Sequence, residues 1–233
     1  MTDTANPKAG FYRYIPFAVF MAFIGLDELL RFLAGKGFFT LTETSLYYVY
    51  PVKALVVGWL LFYYRHFYNE LSLKDLKNIP ETVTVFLVGL LVFVLWINMD
   101  WTFAASGSPQ GFNPLLLPDG GIRIFMILFR VAGAVIIVPI MEELFWRSYL
   151  IRYLVASDIE KVAIGTFTWF SFLATIVLFG LEHHFIFAGM MAGVIYNFIL
   201  YKTRSLMQCV LAHAVTNLSL AVYVILTNKW YFW

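Results

Sequence analysis

The fold class this sequence predicts is all-α: a polytopic transmembrane bundle of about seven or eight spans enclosing a polar cavity. Three observations carry that prediction. Of the 233 residues 61% are apolar and only 13% are charged, and the mean hydropathy is +0.79. The apolar residues fall into runs near the ~20 residues a helix needs to cross the hydrocarbon. Aromatics make up 19% and cluster where those runs end, as in "LYYVY" at 46–50, Trp96 with Trp101, and the final "WYFW".

Taken in order, the spans are expected at 14–34, 46–64, 82–99, 122–146, 162–182, 185–201 and 206–226. The connecting segments set their orientation. With the N-terminus inside, the cytoplasmic side would hold Lys8, Arg13, Arg65, Lys74, Lys77, Arg147, Arg152, Lys161, Lys202 and Arg204. The other side would hold little beyond Lys36, Arg123 and Lys229. The asymmetry favours an N-in, C-out integral membrane protein, in the inner membrane if the source is bacterial. Segment 100–121 has two aspartates, no lysine or arginine and many turn formers, and is expected to be a large external loop. The polar start, "MTDTANPKAG", with no small-residue cleavage site behind it, argues against a cleaved signal.

One integrated domain is expected, with N-terminal helices and loop over 1–121, a second block of helices over 122–226 and a tail at 227–233. The single cysteine, Cys209, excludes an internal disulfide and reads as a small buried hydrophobe. A net charge of +2 without a dense basic patch gives no reason to expect nucleic acid.

Polar residues inside such spans are costly and normally face a bundle interior or a water-filled cavity. In "PIMEELFWRSYL", 139–150, Glu143 and Arg147 are one turn apart and can pair, while Glu142 points about 100° away, on the side of Phe145 and Trp146. Both glutamates can equally mark a helix end. In "LFGLEHHF", 178–185, Phe179 and His183 share a face, and Glu182 and His184 point elsewhere. Adjacent histidines at a helix end are often merely interfacial. In "LAHAVTNLSL", 211–220, His213 and Asn217 are again one turn apart, a spacing that also suits an interhelical hydrogen bond worth ~1 kcal/mol.

Together the three clusters offer a spare carboxylate, two imidazoles and an amide, the groups needed to activate a water and to stabilise an oxyanion. Amide hydrolysis fits. No serine or cysteine suggests a nucleophile. Glu142, His183 and His213 can alternatively ligate zinc, although no HExxH is present and Asn217 beside His213 suits an oxyanion role better; a metal-free mechanism is the preferred expectation.

The order EExxxR, FxxxH, HxxxN, here Glu142-Glu143 to Arg147, Phe179 to His183 and His213 to Asn217, resembles the CPBP family of CAAX prenyl proteases and bacteriocin-processing enzymes, also called the Abi family. The resemblance covers about 122–226, including "GVIYNFILYKTRSL". It implies an intramembrane glutamic endopeptidase in which Glu142 and His183 activate water. His213 and Asn217 would form the oxyanion hole, Glu143 and Arg147 would hold the geometry, and Phe179 would pack beneath His183. It implies a membrane-associated substrate, lipidated or C-terminally tagged, cut near its C-terminus or near the membrane, and it includes a bacterial CAAX prenyl protease-related subgroup. The alternatives are a transporter or channel using the same residues for proton or cation relay, or a catalytically silent membrane binding or immunity protein.

Simple counting places Glu142 near the cytoplasmic end of its span and His183 near the far end of the next. Bringing them together then requires short or broken segments, for which Pro139, Gly189 and Gly193 are natural bends and close approaches. Of the remaining charges, Asp27, Glu28 and Arg31 are expected to pair locally. Lys53 and Arg130 either snorkel or line the cavity, and tyrosine and phenylalanine stripes face lipid or pack.

Overall fold

A computed structural model describes residues 7–101 and 111–233; the expected loop at 100–121 lies partly outside them. Seven helices account for the spans: α1 (Pro7–Gly35), α2 (Val49–Tyr63), α3 (Ile79–Ile97), α4 (Gly121–Tyr153), α5 (Trp169–Glu182), α6 (Ile186–Thr203) and α7 (Leu206–Thr227). No strand occurs among the described residues. Five helices are long and apolar enough to cross a membrane: α2 with the 3₁₀ turn before it, α3, α4, α6 and α7. Helix α1, which carries Arg13, Asp27, Glu28 and Arg31, and the 14-residue α5 are not among them.

Apolar side chains cover both the inside and the outside of the bundle. Val57, Met141, Leu144, Leu200, Leu206 and Cys209 meet in the core, Cys209 with no exposed surface. Trp59, Phe86, Leu128, Leu181 and Leu226 point outward. A water-soluble protein would not carry so many exposed large hydrophobics, whereas lipid accepts them. Helices α3 and α7 form one close pair and α5 and α6 another, with α1 laid along the second half of α4.

Three expected boundaries were off by seven residues; α1 begins at Pro7 and not at 14, and the other two errors bear on the site. The fifth span begins at Trp169 and not near 162. Gly165 takes a positive φ of +79°, and the Thr168 hydroxyl caps the helix by accepting from the Ser171 N–H. The fourth runs on to Tyr153, well past 146, because its last turns are held from the side. Arg152 donates to the backbone and hydroxyl of Ser148, and both residues reach Glu70 in the loop after α2. Glu70 also takes Arg13 from α1 at 2.6 Å. Burial alone would raise its carboxyl; the hydrogen bonds and charge of Arg13, with the Ser148 hydroxyl, hold it below the ordinary carboxylate range.

With those boundaries the conflict over Glu142 and His183 disappears. Glu142 lies eleven residues before the end of α4, about 17 Å at 1.5 Å per residue, and His183 follows the 14 residues of α5, about 21 Å from its start. The ends from which both distances run, Tyr153 and Trp169, are joined by a single loop. The two residues thus lie at similar distances from the same end of the bundle, and no full-length crossing separates them.

Candidate active site

Helix α4 is not a regular α-helix. Two stretches, Gly133–Ile137 and Leu144–Leu150, take π geometry, and the glutamate pair lies between them. In the first, the Val138 N–H donates to the Gly133 carbonyl, one residue farther back than in an α-helix. The Ala134 carbonyl would take Val138 in the α register or residue 139 in the π register. Val138 is used, and Pro139 has no N–H. The Asn217 amide of α7 fills the opening, donating from Nδ2 to Ala134 O at 2.8 Å. One Nδ2 hydrogen is thereby fixed, and the second remains for the cavity that Asn217 lines.

Glu142, His183, His213 and Asn217 line one cavity of about 200 Å³. Phe179 and Tyr196 line it too, the Phe179 ring 4.7 Å from His183 and Tyr196 stacked on His213 at 5.0 Å. The approach of α5 to α6 that brings His183 in depends on glycine: a Cβ on Gly189 would stand 3.0 Å from the Gly180 Cα and 3.2 Å from His183. At Gly193, which faces Ile176 and Phe179, a Cβ would stand 3.4 Å away, an ordinary contact that glycine is not needed to allow.

The two glutamates divide as their spacing suggested, with one addition. Glu143, fully buried, accepts from Arg147 Nη1 at 3.2 Å through Oε1. The same oxygen lies 2.9 Å from His213 Nδ1, a contact between α4 and α7 that the sequence does not foretell. Glu142 Oε2 is 3.9 Å from His213 Nε2, beyond hydrogen-bond range, and has no protein partner among the described residues. That oxygen is left for whatever occupies the cavity.

The histidine tautomers follow from their partners. His183 Nδ1 is 2.7 Å from the Phe179 carbonyl, which can only accept, so Nδ1 carries the proton and Nε2 of the neutral ring is an acceptor. His213 Nδ1 likewise gives its proton to the Glu143 carboxylate. Its Nε2 is the nitrogen turned toward Glu142, 3.9 Å from Oε2.

Two neighbours were not found from the sequence. Glu182, read there as pointing away, accepts from the Trp146 indole at 3.1 Å, and its charge reaches Glu142. A carboxylate beside a motif histidine and without a basic neighbour in its own helix was the available signal. Tyr196, one of many tyrosines assigned to packing or lipid, is fully buried and donates to Thr216 Oγ1 at 2.9 Å. Nothing in its local sequence separates it from the others. Arg147 lies over the Phe179 ring at 4.5 Å, so the guanidinium ties the first motif to the second.

Among the described residues no three His, Cys, Asp or Glu side chains come together as a metal-binding set.

Residues 124–219 match the family model described as Type II CAAX prenyl endopeptidase Rce1-like, under half of the chain but including all three motifs. The match is consistent with the CPBP family that the motifs resemble, and it suggests an intramembrane endopeptidase. No curated protein and no solved structure matches the chain.

Proposed function

We propose that the chain is a glutamate-dependent intramembrane endopeptidase that hydrolyses a peptide bond of a membrane-associated protein close to its C-terminus or to the membrane. One observation carries the reading: an unpartnered carboxylate oxygen, two imidazoles each anchored through Nδ1 and an amide with a spare N–H line a single cavity.

Glu142 takes a proton from water as that water attacks the scissile carbonyl, and His183, an acceptor at Nε2, shares or relays the proton toward the leaving amine. The oxyanion receives the second N–H of Asn217, and His213 donates to it from Nε2 once that nitrogen has taken up a proton. Glu143 and Arg147 act at one remove, holding that proton pattern. A lipid anchor or C-terminal tag would hold the substrate at the membrane, and the orientation that fits the charge distribution is N-in, C-out.

The test is cleavage of membrane-associated peptides by purified protein in detergent or vesicles. Glu142→Gln and His183→Ala should each lower kcat by roughly 10²–10⁴ while size exclusion and helix content stay unchanged. Activity should also survive a chelator. Inhibition by the chelator that added zinc reverses would replace this mechanism with a metal one. Cleavage that persists in both variants would reject the site, and proton or cation flux without cleavage would favour a transporter.

A further inference from the structure

Beyond the inner cavity lies a second one of about 460 Å³. Tyr50, Arg130 and Trp233 line both and mark the junction between them. Lys53 lines the outer cavity and is buried, its Nζ 4.4 Å from the Phe20 ring and 5.3 Å from that of Tyr50. The Arg130 guanidinium lies 4.5 Å over Tyr50 and 5.8 Å from the Phe112 ring, with Nε buried and without an acceptor. Among the described residues neither cation has a carboxylate within ion-pair distance. The charges of Asp27 and Arg130 do reach Lys53 across the vestibule.

Aromatic faces hold these two cations in place but do not neutralise them. Buried lysine and arginine ordinarily have a paired anion. Two like charges held near one another attract an anion between them, and the planar fork of arginine matches a carboxylate in particular. The position narrows its origin. Arg130 is one turn of α4 from Ala134, the residue that anchors Asn217, about 6 Å along the axis. An extended chain rises about 3.4 Å per residue, so an anion at Arg130 belongs about two to four residues from a carbonyl at Asn217.

We infer that Lys53 and Arg130 form a carboxylate-binding subsite that fixes the register of the peptide in the inner cavity. The inference rests on the protease reading for the ligand's being a peptide. The carboxylate is the peptide's own terminus or an acidic side chain near the bond cut.

Binding is measured with the inactive Glu142→Gln protein, so the result does not depend on cleavage. The probes are dansyl-Ala-Leu-Leu as free acid, the same peptide as C-terminal amide, and dansyl-Ala-Leu-Asp-amide. Energy transfer from tryptophan to dansyl reads occupancy, since Trp96 and Trp233 line the cavity. The free acid should bind about tenfold or more tighter than its amide. Added Arg130→Gln or Lys53→Met should bring the acid down to the level of the amide and leave amide binding unchanged, whereas Arg130→Lys should keep part of the preference. If the aspartyl amide binds like the free acid, the subsite reads a side-chain carboxylate; if it binds like the amide, it reads the terminus.

Equal binding of acid and amide, or a preference that survives both neutral substitutions, overturns the proposal. So does displacement of the acid by dihexanoyl phosphatidylglycerol but not by its neutral phosphatidylcholine analogue, which would make the cation pair a lipid-headgroup site. Loss of cleavage in every assay with carboxylate preference intact would sink the protease reading and leave the subsite standing.

Discussion

At the scale of single residues, the His213–Glu143 contact changes what each member of the glutamate pair does. The i,i+4 spacing accounts for Glu143 with Arg147, and the 3.2 Å contact agrees. The 2.9 Å contact to His213 Nδ1 gives the same carboxylate a second task, fixing which histidine nitrogen faces the cavity. His183 is anchored in the same way but by a neutral carbonyl, so the two rings differ in the charge of the group that holds them. Glu143→Gln tests the distinction. A glutamine turned to offer its carbonyl oxygen still accepts from Nδ1 but no longer places a negative charge against the ring. We expect kcat to fall roughly 10²-fold, as for loss of one oxyanion donor, with KM close to wild type. A change in KM with kcat preserved would show that Glu143 shapes substrate binding instead. Glu143→Ala is a poor substitute, because it also removes the oxygen that both Arg147 and His213 use.

At the scale of elements, the irregularity of α4 has a chemical consequence. Its first π turn and Pro139 together leave the Ala134 carbonyl without a backbone donor, and the Asn217 amide is oriented by that opening. Pro139→Ala supplies an N–H in the π register that competes with Asn217 for the same oxygen. The variant should fold at least as stably, since a proline inside a helix is replaced by the best helix former. Its kcat should nevertheless drop about tenfold or more as the amide loses its fixed orientation, with thermal unfolding and peptide-cleavage rates measured on one preparation. A variant with unchanged kcat would remove the proline from the argument. Pro139 had been expected as a bend that brings the clusters together; its clearer effect is on hydrogen bonding. Gly189 serves as expected, at a close approach of α6 to α5, whereas Gly193 has room for a Cβ.

At the scale of the whole molecule, the loops sort into two ends. Ser205 donates to Asp75 at 2.5 Å, and Gln208 reaches the Asp75 carbonyl, which puts the loop before α3 beside the α6–α7 turn. At the other end the Phe112 N–H donates to Trp233 O, so the last residues lie against the segment before α4. The vestibule with Lys53 and Arg130 opens among Glu43, Asn113 and Asn228, at this second end. If the N-in orientation holds, substrate enters from outside. A cysteine placed at Asn228 in the Cys209→Ser background should react with a membrane-impermeant maleimide in intact cells, and one at Lys74 only after permeabilisation. The reverse pattern would turn the orientation, and the side of substrate entry, around.

How much of this was legible in the sequence follows from the range over which each signal acts. Hydrophobic run length is local, so an all-helical membrane protein and all seven helices could be read, along with the i,i+4 pairs Glu143–Arg147 and Phe179–His183. Motif order carried the resemblance that the family match supports. Hydropathy does not see a capping threonine or a glycine at positive φ, so the start of α5 was misplaced by about seven residues, and with it the depth of His183. The His213–Glu143 contact, the Asn217–Ala134 bond and the meeting of Glu142 with His183 and His213 on one cavity involve residues more than 40 positions apart. Only the packing of α4, α5 and α7 decides them. A sequence states which polar groups enter the membrane; in a medium without water to satisfy them, the tertiary structure alone decides which partner each one finds and which is left free to react.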